Sequence, residues 1–459
     1  MQEKVSASFR DPSGFMFKVD GQYYRQVNLA YQKEWDLFMS SGLYQQLSKA
    51  KALIAHDEMP LEMAPMPEKA YKVIKPTQLG FISYPYEWCF NQYKDAAILT
   101  LSIARRALEY GMSLKDASAY NIQFHEGRPI FIDTLSFETY EEGMPWVAYK
   151  QFCQHFLAPL ALMAKTDIRL AGLMRDYIDG VPLDLASKLL PKCSKLNFGL
   201  ATHIHIHAKS QLKYADQKIS QKEVSGKISK QALYNLIDSL LSVVRSLIVK
   251  TITTEWADYY QDNNYTESSF EAKRALVAKF IKQVNPGSVW DLGGNTGEFS
   301  RCASELAIPT VSFDIDPGAV QQNYDIVKTK KEKHMLPLVL DLTNPSPAIG
   351  WHNQERDSFK DRGPADLVMA LALIHHMAIA NNVPLREVAR SFAEFGEHLI
   401  IEFVPKQDSQ VERLLSSRLD IFPDYTLEGF KQAFSEYYSI LEEQPVQGSE
   451  RTMFLMRRN

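Results

Sequence analysis

Between residues 288 and 405, five short apolar runs alternate with segments of helical periodicity. They are SVWDLG (288–293), PTVSFDI (309–315), MLPLVLDL (335–342), ADLVMALALI (365–374) and HLIIEFVP (398–405). Runs this apolar are buried on both faces, and strands that return in the same direction need a crossover. The pattern therefore predicts a parallel sheet covered by helices, an α/β fold. Two further runs, YYSILEEQPV and RTMFLMRR, flank the turn-like QGSE near the end. They predict an antiparallel hairpin that brings the sheet to seven strands. At 459 residues the chain exceeds the size at which one core usually divides. Texture separates three zones: an α+β region over 1–195, a helical linker richer in Lys, Ser and Gln over 196–265, and the α/β region over 266–459.

The first of the five runs enters Asp291-Leu-Gly293-Gly294-Asn295-Thr-Gly297. So tight a turn needs positive φ or a close backbone approach, which Gly293, Gly294 and Gly297 permit and Asn295 tolerates. The turn is expected to offer free backbone N–H groups at the start of a helix. In a dinucleotide enzyme such groups hold a pyrophosphate. Here the spacing departs from GxGxxG, because the signature begins with an aspartate inside the strand.

This signature resembles the first motif of class I S-adenosylmethionine-dependent methyltransferases, and the resemblance extends over residues 266–459. It implies a Rossmann-like sheet, S-adenosylmethionine as cofactor, and a turn built from Asp291, Gly293, Gly294, Asn295 and Gly297 that approaches the methionine portion. It further implies that Asp314, ending the second strand, holds the ribose hydroxyls, at a separation of about 20 residues. Asp341, ending the third strand, would face the adenine amino group, and Tyr265 would close over the cofactor. An NAD-binding or purely structural Rossmann domain is the competing reading. Asp316 reads as the cap of a helix that starts at Pro317.

In open α/β sheets ligands lie beyond the carboxyl ends of the strands. The fourth run ends in His375-His376-Met377, where a histidine could take a proton from a hydroxyl or amine as a methyl group arrives. His375 is slightly favoured over His376; packing or capping is the alternative for either. Glu402, late in the fifth run, faces the pocket or is a buried carboxylate bonded to backbone. Asn344-Pro345-Ser346-Pro347 resembles an amino-methyltransferase signature but follows the third strand rather than the fourth, so it is read as a loop. No metal is required.

The α+β region carries YGMSLKDASAYNIQFHEGRPIFIDTLSFE (110–138). Asp116, Asn121 and Asp133 follow one another as do the catalytic carboxylate, amide and magnesium-binding carboxylate of phosphotransferases. The segment resembles the catalytic loop of protein-kinase-like and aminoglycoside-phosphotransferase-like folds. GFMFKV-DG-QYYRQV (14–27) is read as a hairpin, with a helix around Glu34 and a hinge at 79–88. No glycine-rich loop and no VAIK-like lysine are present, although Arg25 stands where it could replace the latter. Three readings stay open: a kinase-derived domain that no longer phosphorylates, an active kinase, and an unrelated α+β module. HIHIH (203–207), if extended, places three histidines on one face, a zinc geometry; solvated histidines on a strand or helix end are the plainer reading.

A net charge of −4, without a basic stripe interleaved with aromatics, argues against nucleic acid as substrate. No secretory signal opens the sequence, the apolar stretches are too short to span a bilayer, and the four cysteines lack CxxC spacing. The expectation is a cytoplasmic methyltransferase acting on a small molecule or glycan, with the N-terminal module recognising substrate. The arrangement also resembles bacterial methyltransferases of polysaccharide or nodulation-factor modification. RNA or protein methylation, a bifunctional kinase–methyltransferase, and an inactive scaffold are the alternatives.

Overall fold

The computed structural model describes residues 3–209, 228–249, 267–416 and 418–459. The chain divides into two compact units, Met1–Thr251 with Ile349–Arg356, and Ile252–Ala348 with Asp357–Asn459.

The first unit opens with an antiparallel sheet of β1 (Glu3–Lys4), β2 (Gly14–Val19), β3 (Gln22–Asn28), β4 (His56–Met59) and β5 (Ala70–Pro76), in the order β1-β2-β3-β5-β4. β2 and β3 form the expected hairpin, with Asp20 (φ 49°) and Gly21 (φ 77°) supplying its left-handed turn. The helix Phe90–Glu109 buries Tyr93, Ala97, Leu101, Ala104 and Leu108, a stripe of three- and four-residue steps. After it come β6 (Met112–Leu114), the hairpin of β7 (Ile122–His125) and β8 (Arg128–Phe131), and β9 (Phe137–Thr139), which pairs with β6.

The HIHIH run is not extended. Ala201–Ile206 forms a π-helix, and His203 and His205 are buried. His203 lies between the hydroxyls of Tyr149 and Ser239, and His205 between those of Ser187 and Ser194. Polar partners on neighbouring segments outweighed the period-two pattern, and the face shared by three histidines does not form. The helix Lys230–Ser246, capped by Ser229, lies in the same unit, with Val243 against Gly199 and Lys94 Nζ donating to the carbonyls of Arg245 and Leu247. Most of the Lys-rich stretch at 211–231 lies outside the described residues.

In the second unit β10 (Val289–Leu292), β11 (Thr310–Asp314), β12 (Met335–Val339), β13 (Ala365–Ala370) and β14 (Gly396–Phe403) run parallel. β15 (Tyr438–Pro445) and β16 (Thr452–Arg458) form the hairpin, and β16 joins β14 antiparallel. The seven-stranded order is β12-β11-β10-β13-β14-β16-β15. Strand order reverses between β10 and β13, which opens a crevice at their carboxyl ends. One side of the sheet is sealed by Val277, Phe280 and Ile281 of the helix Glu267–Val284 against Val289, Leu367 and Ile400. Among the described residues no helix is long and apolar enough to cross a membrane.

Candidate functional site

The turn after β10 adopts the backbone its sequence requires: φ is 76° at Gly293, 49° at Asn295 and 81° at Gly297. Gly294 answers a different need. A Cβ there would overlap Ser312 Oγ and stand 3.0 Å from Asp291 Oδ2. From Gly293 to Gly297 the amides are engaged rather than free. Gly293 and Gly294 donate to the Phe313 carbonyl (2.8 and 2.9 Å), Asn295 to Asp314 Oδ2 (2.8 Å), Thr296 to Asn295 Oδ1 (2.9 Å) and Gly297 to the Gly294 carbonyl (2.8 Å). The next helix, Arg301–Ser304, is a single turn. The donors of Gly293 to Gly297 are thus spent on β11 and on the turn itself.

Beyond this turn lies a cavity of ≈ 250 Å³ across the carboxyl ends of β12, β11, β10 and β13. Asp341, Asp314 and Asp291 line it in that strand order, with Gly293, Gly294 and Asn295 between them. Phe299, Ile315, Leu340, Leu371, Leu373 and Met377 supply apolar walls, and Lys273, Thr343, His376 and Asn381 complete the polar set. Gly297 packs beneath, where a Cβ would meet Asn323 and Arg301. Asp316 caps the helix Pro317–Lys330 by accepting from Gly318 and Ala319. Tyr265 lies outside the described residues.

The carboxylates differ in their surroundings. Asp341 is partly exposed and accepts from the Thr343 amide and hydroxyl (2.8 and 2.6 Å). Asp314 accepts from the amides of Asn295 and Asp316, yet burial pushes its carboxyl up to about 6. Asp291 accepts from Ser300 Oγ, and burial, helped by Asp314, pushes it up to about 7. A folded pKa above the unfolded value means that the native state binds more protons between about 4 and 7, so stability drains from the empty site as pH rises through that window. A cationic ligand, or one donating hydroxyls, needs the ionised forms. Its affinity should therefore strengthen from pH 5.5 to 7.5, and a melting temperature measured with and without ligand should separate progressively over that range. A constant separation would contradict the assignment of these two carboxylates to the ligand.

At the β13 end the chain turns through Ala372 (φ 51°) into the π-helix His376–Ala380. His376 lines the cavity; His375 is 2 % exposed and does not. Burial, then Arg451, pushes the His376 imidazole down to about 4, so it is neutral at pH 7. Glu402, fully buried, stands behind the wall: Oε2 accepts from Lys273 Nζ and from the Ala372 amide, each at 2.7 Å. Arg451 Nη1 is 3.8 Å away and its Nε donates to Asp408. Burial lowers the Lys273 pKa, against the pull of Glu402. The sequence reading missed Lys273. Its signal was a lysine at a four-residue step from Val277 on the stripe that continues to Phe280 and Ile281, where a core residue belongs.

In the first unit Asp116, Asn121 and Asp133 do converge. Asp133 pairs with Arg25 and accepts from Ser136 Oγ (2.5 Å) and the Leu135 amide (3.1 Å), while Asn121 donates to Ser136 Oγ (3.3 Å). Asp116 accepts from the Ser118 amide and Gln151 Nε2 (2.9 and 2.8 Å). A guanidinium thus lies against the carboxylate that would hold magnesium, and the residues do not fit the ion. Among the described residues no group of three or more His, Cys, Asp or Glu is placed to hold a metal.

No family model matches the chain. It is 36% identical to the nodulation protein NoeA of Rhizobium meliloti (strain 1021) over 466 residues, covering 99% of this chain and 96% of that protein. Similar solved structures include the magnesium protoporphyrin IX methyltransferase ChlM of Synechocystis PCC 6803 with bound SAH (15% identical, TM-score 0.32, 44% of this chain and 93% of that one). The N-methyltransferase NodS of Bradyrhizobium japonicum WM9 (11%, 0.31, 42% and 97%) and the bifunctional kinase-methyltransferase WbdD (13%, 0.32, 46% and 43%) are others. Structural likenesses at these scores decide nothing about activity.

Proposed function

The chain belongs to the family of the nodulation protein NoeA, and we propose that its second unit is an S-adenosylmethionine-dependent methyltransferase acting on a small-molecule or glycan acceptor. One observation carries the reading. The crevice at the strand-order reversal is lined by three carboxylates and one lysine, while the amides of Gly293 to Gly297 in the glycine turn are all engaged by protein acceptors. A pyrophosphate would meet three carboxylates there against a single lysine, whereas a sulfonium nucleoside with an amino-acid tail meets acceptors along its cationic and hydroxyl-bearing parts.

When bound, the cofactor supplies an electrophilic methyl group on a sulfonium. In this reading Asp341 accepts from the adenine amino group and Asp314 from the ribose hydroxyls. Lys273, held against Glu402, presents its ammonium toward the carboxylate of the amino-acid end. Phe299, Leu371, Leu373 and Met377 exclude water, and the walls align acceptor with donor. His376, neutral at physiological pH, takes the proton from the acceptor's hydroxyl or amine. A nucleic-acid acceptor would need cations that this cavity does not provide. In the first unit the Arg25–Asp133 pair argues against phosphoryl transfer, and substrate recognition is the role we assign to that unit.

The His376→Asn variant tests the assignment. Methyl transfer, read as labelled product from cell extract, should fall by about 10²–10⁴-fold, while calorimetric affinity for S-adenosylhomocysteine stays unchanged. In the wild type, with S-adenosylmethionine kept saturating at each pH, turnover should hold steady down to about pH 5 and drop as the imidazole protonates near the value of about 4 that burial sets. Full activity in His376→Asn would remove the histidine from the mechanism.

A further inference from the structure

A second concavity, of ≈ 570 Å³, lies in the same unit between the segment 378–386 and the segment 421–436. It shares a wall with the first. His376 and Met377 border the donor cavity, whereas Ala378 and Asn382 border the groove, so one turn of the π-helix His376–Ala380 serves both. A helical turn advances by about 5 Å, close to the length of one sugar ring. Short π-helical segments of this kind are frequent at functional positions. This one is fastened from outside, since Arg418 donates to the Ile379 and Ala380 carbonyls and the Val383 amide donates to Met377.

The lining has a particular chemistry. Asn382, Asp424 and Gln432 are exposed and planar, and each offers two polar atoms at a spacing that matches a pair of neighbouring hydroxyls. Phe422 and Pro423 add flat apolar faces suited to the C–H side of a pyranose ring. The charged pair at its edge, Arg386 and Glu436, is closed on itself at 2.6 Å. No lysine lines the groove and its one arginine is thus paired, so a phosphate polymer finds no counter-charge. With a volume more than twice that of the donor cavity, the groove has room for more than one ring.

We propose that this groove is the acceptor subsite and that it takes a neutral carbohydrate chain, whose terminal unit reaches past the π-helical turn to His376. The proposal rests on the first cavity being the donor site. On this account the groove sets acceptor affinity and leaves donor affinity untouched.

Saturation-transfer NMR on the full chain loaded with S-adenosylhomocysteine tests it, with cellotetraose, chitotetraose and maltotetraose as probes. Transfer to more than one ring of at least one of them is expected. Gln432→Trp, which fills the groove from its exposed side, should weaken that binding by about tenfold or more, with an unchanged calorimetric titration of S-adenosylhomocysteine. Asp424→Ala, which only trims an exposed side chain, should weaken it in the same direction. Absence of transfer to all three sugars while the nucleoside binds would overturn the proposal, as would transfer that survives both variants, or saturation by single-stranded RNA or an acidic peptide instead; the donor site would stand. Failure of the nucleoside itself to bind would overturn both.

Discussion

Alanine in place of Asp314 is expected to weaken binding of S-adenosylhomocysteine by about 10²–10³-fold, two hydrogen bonds to a charged acceptor being worth about 1.5–3 kcal/mol each before relaxation. The site shows why the effect should be large. Asp314 is buried at the end of the central-sheet strand β11, with its carboxyl pushed up to about 6, so burial beside the cavity carries a cost that its backbone donors offset only in part. It also accepts the Asn295 amide, so its loss loosens the turn that forms the adjacent wall. Asp314→Asn separates these roles. An acceptor for the Asn295 amide remains, and about tenfold weakening is expected because one hydroxyl loses its charged partner. Undiminished affinity in Asp314→Ala would refute the ribose role.

The other large effect concerns Glu402. Replacing it with alanine leaves the Lys273 ammonium, 2 % exposed, without its 2.7 Å partner and strips the acceptor from the Ala372 amide. Breaking a buried ion pair from one side costs about 3–5 kcal/mol, which in a domain of this size lowers the melting temperature by about 10 °C. The compensating variant is more informative. Lys273→Met combined with Glu402→Leu exchanges the pair for apolar side chains and should recover part of the lost stability, the Ala372 amide still lacking its acceptor. It should not recover nucleoside binding, because in this account the ammonium itself meets the ligand. Recovery of both would show that Lys273 is only a core residue.

Much of the second unit could be read directly because its physics is local. Strands buried on both faces must be apolar along their whole length, which is why the five runs of 288–405 became the parallel strands, whereas the half-exposed edge strand β15 was legible only through its hairpin turn. Positive φ at Gly293, Asn295 and Gly297 follows from what those residues permit. The state of the turn's amides was not legible, because their acceptors, the Phe313 carbonyl and the Asp314 carboxylate, come from the next strand. Likewise His375 and His376 are neighbours in sequence, and only the π-helical geometry decides which one reaches the cavity.

Long-range pairing hid the rest. Arg25 and Asp133 lie 108 residues apart, and nothing local announces that the guanidinium seats against that carboxylate. Glu402 and Lys273 are 129 apart. The HIHIH run misled because alternation looks extended, while the hydroxyls of Tyr149, Ser187, Ser194 and Ser239 that draw it into a π-helix are distant or follow another period.

Everything depends on which ligand the crevice between β10 and β13 accepts. Calorimetry of the full chain against S-adenosylhomocysteine, with NAD titrated in parallel at pH 7.5, answers that directly. A saturating one-to-one isotherm for the thioether nucleoside, and none for the dinucleotide, is the expected result. A flat trace for the nucleoside, or saturation by the dinucleotide, would contradict the account.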